Sequence, residues 1–221
     1  MINRDIIVKG TGMISVSPDL LVLLMNIEVV KQEYDETMQV SSELLDDLRN
    51  AIVSAGHEKK ALKTVNFNVN TRYDSYRDKQ DNWKKKFDGY VCSHDLRLEF
   101  DLNLTKLAET LNAISKCNVK PKFTIKFAVK DTNTISEELL ENAIFNAKGK
   151  AEVLARAADV KLGVIKRIDY NWGELHFYSN TEVDSEYSEM MVCESKLMSI
   201  LAIEPEEINL KDTVTVIWVI E

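Results

Sequence analysis

A chain of 221 residues with 45% hydrophobic content can bury one large core or two small ones. Its 28 basic residues stand against 36 acidic ones, a formal charge of -8 that argues against a broad electrostatic footprint for nucleic acid. The N-terminal stretch is broken by Arg4, Asp5 and Lys9, and the apolar run Leu20 to Met25 is too short to cross a bilayer, so neither a signal peptide nor a membrane span is read. The chain as written is therefore expected in the cytoplasm, or in the periplasm if an export signal has been removed.

Residues 6 to 33 read as extended structure, rich in β-branched residues and interrupted by Gly10, Gly12 and Pro18. Leu20 to Val30 is apolar on both faces, which predicts a central strand covered on both sides. The glycines of "VKGTGMISV" lack the third glycine, lysine and helix of a phosphate loop and are read as turn or bulge positions between strands. A helix follows, capped by Asp35 or Thr37, with Met38, Leu44, Leu45, Leu48 and Ile52 at helical spacing and Gly56 as its stop.

"LKTVNFNVNTRY" alternates Val65, Phe67 and Val69 against polar neighbours, and "GYVCSHDLRLEF" puts Tyr90, Cys92, His94, Leu96, Leu98 and Phe100 on one face. The charged segment between them, near 74–88, reads as a polar hairpin loop projecting into solvent. Thr105 begins a short helix carrying Leu107, Leu111 and Ile114, and "KFTIKFAVKD" returns as a strand. "TISE" at Thr134 to Glu137 has the form of a capping box, opening a long helix near residues 135–160 with Gly163 at its end.

That helix bears alanine at Ala143, Ala147, Ala151 and Ala155, where an amphipathic helix would ordinarily place leucine. Alanine at every fourth residue lets a helix backbone approach its neighbour closely, while Leu140, Ile144 and Leu154 flank the stripe and supply bulk. Gly149 lies off the stripe, where no reason for it is evident. "GVIKRIDYNW" and "DTVTVIWVIE" then read as strands, separated by an acidic mobile loop near 174–195 that contains no lysine or arginine. Hairpins mixed among helices predict one α+β domain over residues 1–221 with a mainly antiparallel sheet.

Chemistry is thinly represented. Cys92 and His94 share a strand face, but two ligands do not make a metal site, and their parallel orientation is wrong for a nucleophile with its base. His57 and His176 lie elsewhere in the sequence, and no CxxC or HxxxH spacing occurs. The three cysteines, Cys92, Cys117 and Cys193, suit reduced thiols better than a disulfide framework, and Glu189 and Glu194 would raise the pKa of Cys193. "NWKKKFD" joins Trp83 and Phe87 to three lysines, yet one basic run in an acidic chain reads as a solvated loop. Asp46-Asp47, Glu137-Glu138 and Glu206-Glu207 are adjacent pairs, and neighbours on a helix do not face one another. No catalytic, cofactor-binding or metal residue is selected, and no cofactor is expected.

Five segments, "VKGTGMISVSPD", "DGYVCSHDLRLEF", "KFTIKFAVKD", "NAIFNAKGKAEVLARAADVKLGVI" and "IEPEEINLKDTVTVIWVIE", occur in order across nearly the whole chain. Together they resemble the SIMPL-domain family, which includes bacterial oxidative-stress-defence proteins and a periplasmic immunogenic antigen. The resemblance implies an α+β fold, a tendency in some relatives to form ring-like or channel-like oligomers, and no established catalytic residues. The segment "SKCNVKPKF" departs from it, lacking the glycine-containing turn expected there. The expectation is a non-enzymatic protein that self-assembles or binds a protein partner, in a stress or envelope-related role, without nucleic acid. The alternatives are a ligand-binding protein or enzyme with a pocket between sheet and helices using Tyr90, Cys92 or His94, and a thiol-based stress sensor acting through Cys193.

Overall fold

The computed structural model describes residues 4–78, 80–170, 173–185 and 202–221. The element order is β1 (Asp5–Val16), β2 (Leu20–Lys31), α1 (Tyr34–Ser54), β3 (Lys63–Arg77), β4 (Trp83–Asp101), α2 (Leu104–Ser115), β5 (Lys122–Ala128), α3 (Thr132–Ala157), β6 (Leu162–Tyr170), β7 (Tyr178–Ser185) and β8 (Ile208–Ile220). The fold is α+β, with one sheet ordered β1-β8-β6 and another ordered β3-β4-β2-β5-β7. The paired strands β1/β8, β6/β8, β2/β4 and β3/β4 all run antiparallel. The chain divides into two compact units, one comprising residues 1–19, 128–180 and 206–221, the other residues 20–127 and 181–205.

The first unit is α3 laid across the three-stranded sheet. Alternation along β8 turns Val214, Val216 and Trp218 toward the helix, where they meet Val8 of β1 and the alanines at Ala143, Ala147 and Ala151. The buried residues of α3 are Leu139 and the four alanines, one seam with a period of four. Gly10 and Gly12 lie inside β1, not at the turns expected from the sequence. A Cβ on Gly10 would stand 2.0 Å from the Ala143 carbonyl oxygen, and one on Gly12 would stand 2.0 Å from that of Leu139. Alanine on the helix and glycine on the strand are thus two halves of one contact, in which backbone packs on backbone. Leu154, expected to add bulk beneath the helix, is instead exposed, because it points off the seam.

The second unit packs α1 and α2 on one face of the five-stranded sheet. In β2, the middle strand, Leu21, Leu23, Met25, Ile27 and Val29 face the helices and meet Leu48 and Ile52 of α1 and Leu107 and Leu111 of α2. The register Ile27↔His94 and Val29↔Cys92 puts the even residues of β4 on that same side. Phe127 of β5, fully buried, belongs to the same core.

Several boundaries differ from those read in the sequence. The long helix starts at Thr132 rather than at a capping box on Thr134: Asp131 is the N-cap, its carboxylate accepting from the Thr134 N–H at 3.0 Å. The helix ends at Ala157, and Gly163 belongs to β6. Asn103 caps α2, which begins at Leu104, whereas neither Asp35 nor Thr37 caps α1; the Thr37 hydroxyl donates to the Glu33 carbonyl at 2.7 Å. The segment 74–88 is not a loop. Tyr73 pairs with Phe87 and Arg77 with Trp83, so the ladder continues to a turn where Asp78 accepts from the backbone N–H groups of Gln80 and Asn82. Of the acidic segment 174–195, residues 178–185 form β7, while 186–195 lie outside the described residues.

Candidate functional site

Cys92 and His94 do share a face, as alternation requires, but they are parts of the second unit's packing. The Cys92 thiol is fully buried and donates to the Ser41 hydroxyl at 3.2 Å. His94 lies against Phe67, ring centroids 4.4 Å apart, with its Nδ1 buried and lacking a hydrogen-bond partner among the described residues. Tyr90 is held edge-on between Tyr34 and Phe87. None of the three lines the cleft of about 480 Å³ on this unit. Cys117 bonds the carbonyls of Ile114 and Val119, and burial pushes its thiol pKa up. Cys193, and with it the thiol-sensor reading, falls outside the described residues.

Part of the basic run is also engaged. Lys84 pairs with Asp78 at 3.0 Å, Arg77 lies 4.9 Å from the Trp83 ring centroid, and Phe87 meets Tyr73. The carboxylate pairs go separate ways: Asp46 pairs with Arg49, Asp47 accepts from Asn118, and Glu207 accepts from Ser15. Among the described residues no group of three or more His, Cys, Asp or Glu side chains is placed to hold a metal ion, and no helix is long and apolar enough to cross a membrane.

His57 is locked into one tautomer. The Thr110 hydroxyl has one hydrogen and donates it to the Lys106 carbonyl at 2.7 Å, so its 2.7 Å contact with His57 must be a donation from Nε2. Burial, then the Lys106 ammonium, lowers the His57 pKa; burial, then Arg49, lowers that of His94, with Asp95 opposing. Both imidazoles therefore bind fewer protons in the folded chain than in the unfolded one between their lowered pKa values and the ordinary value of about 6.5. The stability contributed by these two rings falls as pH drops below about 6.5 and stops falling below their folded-state pKa values. Melting temperatures are expected to drop between pH 7.5 and 5.5, and the double variant His57→Gln/His94→Gln should lose part of that slope; an unchanged slope would show that these rings do not set it.

Sequence reading missed two surfaces. The first is a cleft of about 480 Å³ on the second unit, lined in part by Asn26, Asp95, Lys122, Thr124 and Asp184. The Asn26 amide donates to Asp95 at 2.6 Å and to Ser93 at 2.9 Å, Asn66 donates to the other Asp95 oxygen at 3.1 Å, and Thr124 donates to Asp184 at 2.6 Å. These carboxylates are engaged in cross-strand bonds that hold β2, β3, β4, β5 and β7 in register. The available signal was a lone asparagine among the apolar residues of β2.

The second surface is a groove of about 790 Å³ on the first unit, between the outer flank of α3 and the edge of β1, with Gly149 on its floor. Apolar side chains stand open around it, among them Phe145, 69% exposed, and Val153. On the sheet face turned from α3, Ile7 is 63% exposed and pairs with Ile217.

Relatives agree with this architecture in extent. The chain is 29% identical over 166 residues to the 26 kDa periplasmic immunogenic protein of Brucella melitensis biotype 1, and 28% identical over 166 residues to the protein of that name from Brucella abortus. Each match covers 74% of this chain and 65% of the relative, so the chain spans just under two thirds of their length. The pattern of the SIMPL family, described as a protein of unknown function (DUF541), matches residues 6–218, from the second residue of β1 to Trp218 of β8. With nearly the whole chain matched, glycine strand, alanine helix and closing strand included, this protein belongs to the SIMPL family.

Proposed function

We propose that this SIMPL protein acts by association rather than catalysis, assembling with copies of itself or holding a protein partner in stress or envelope-related defence. The supporting observation is the set of large apolar side chains left open on the first unit, including Ile7, Met13, Phe145, Val153 and Val164, the last 75% exposed. Exposed apolar surface is costly in water unless something covers it, and it marks interaction sites when it is grouped. The periplasmic name of the Brucella proteins supports the same compartment for this chain.

Native mass tests the reading. Light scattering across a range of concentrations is expected to give a defined multiple of the protomer. A monomer at every concentration would remove self-assembly and leave partner binding alone.

A further inference from the structure

Gly149 stands in the interior of α3, exposed, with no atom within 4 Å of the place a Cβ would occupy. Glycine there is a poorer helix former than alanine. At Gly10 and Gly12 a close backbone approach explains the missing side chain; at Gly149 no packing does. Its effect is to keep open the floor of the groove between α3 and β1.

The other wall of that groove is a strand edge left unpaired among the described residues. The Arg4 carbonyl accepts from the Ile220 N–H, so even-numbered residues of β1 bond toward β8, and Asp5, Ile7, Lys9 and Thr11 turn their N–H and C=O groups outward. Side chains of α3 close one end: Asn146 accepts from the Thr11 N–H at 3.0 Å, and the Lys150 ammonium donates to the Lys9 carbonyl at 3.1 Å. No α3 side chain caps Ile7 among the described residues, and β1 is the terminal strand of its sheet. The groove lining includes Lys9 and Lys150 and no carboxylate, in a chain whose net charge is -8.

We infer that this groove receives an extended segment of a partner protein, added as a further strand along Asp5–Lys9 and carrying apolar side chains and at least one aspartate or glutamate. Main-chain bonds to the open edge hold such a segment, and its alternate side chains provide selectivity. One set rests over Gly149 between Phe145 and Val153, the other continues the open face beside Ile7, and the acidic group meets Lys150. The inference rests on the association reading and names the surface it uses.

The test is selection of a phage-displayed random dodecapeptide library on the immobilised full chain and, in parallel, on Gly149→Arg. Arginine fills open space at Gly149 and favours helix, so this variant keeps its fold, which a circular-dichroism melt verifies. Peptides enriched on the wild type are expected to alternate apolar residues and contain an acidic one. A synthetic copy should bind Gly149→Arg and Lys150→Ala more weakly by roughly tenfold. No enrichment, equal enrichment on both proteins, or enriched peptides without an acidic residue would overturn the inference. So would a native mass that falls in Gly149→Arg without peptide, because a second copy would then be the occupant. An oligomer of equal mass in both proteins, with no peptide selected, leaves association standing and removes only this site.

Discussion

Replacing Gly10 with alanine is expected to destabilise the protein by about 3 kcal/mol, lowering its melting temperature by roughly 6 to 12 °C. The added Cβ would fall 2.0 Å from the Ala143 carbonyl oxygen, 2.7 Å from the Ala147 Cβ and 2.8 Å from the Ala147 amide nitrogen. Two of these neighbours are backbone atoms of a helix interior, which no rotamer change can move, so α3 must lift from β1. Lifting it exposes a seam whose members are themselves fully buried, so the overpacking and the lost burial add. Hydrogen exchange should quicken along β1 and around Ala143 to Ala151. A melt within 2 °C of wild type, with unchanged exchange, would mean that the helix does not lie on the strand as described.

Phe127→Ala is expected to cost about 3 to 5 kcal/mol for a different reason, since it leaves a void instead of forcing a clash. Phe127 is fully buried in the core of the second unit, beneath the two helices that cover β2, β4 and β5. The range reflects how far Leu107, Leu111 and their neighbours can close on the space. Exchange should quicken in β5 and β2 while the α3 seam stays protected. Chemical denaturation resolving less than 1 kcal/mol of loss would show this side chain to be poorly packed.

The sequence was informative wherever one face of an element is buried and the other is wet. β4 and β8 were readable from alternation because His94, Leu96 and Leu98, or Val214, Val216 and Trp218, recur every second residue. The β3–β4 arm between Tyr73 and Phe87 was not, because both of its faces are exposed and no burial period exists to detect. The alanine stripe announces a close contact but not its partner, so in sequence Gly10 and Gly12 read as turn or bulge positions. Their role depends on a helix more than 120 residues away in the chain. Thr134 and Glu137 fit a local capping pattern as well as Asp131 does, and only the Asp131 bond to the Thr134 N–H decides where α3 begins.

The surfaces were less legible than the fold. Phe145 and Val153 are ordinary helix residues in sequence; that they stand open beside a strand edge depends on where β1 lies. Cys92 and His94 are chemically versatile side chains, yet Ser41 and Phe67 account for their surroundings.

The arrangement of the first sheet bears on how the protein is made. Its middle strand, β8, follows the other described strands in chain order, and it bonds to β1, which precedes them, with Asp5 opposite Val219. Until Ile208 and the residues after it exist, Val8 and the α3 alanines have neither Val216 nor Trp218 to pack against. Closing so long a loop costs entropy that grows only logarithmically with length, but it delays the contact until β8 has been made. Residues 20–127, which supply nearly all of the second unit's described core, are continuous and can assemble while the ribosome is still adding α3. Emergence of β8 is therefore the event that lets the first sheet of this SIMPL protein close.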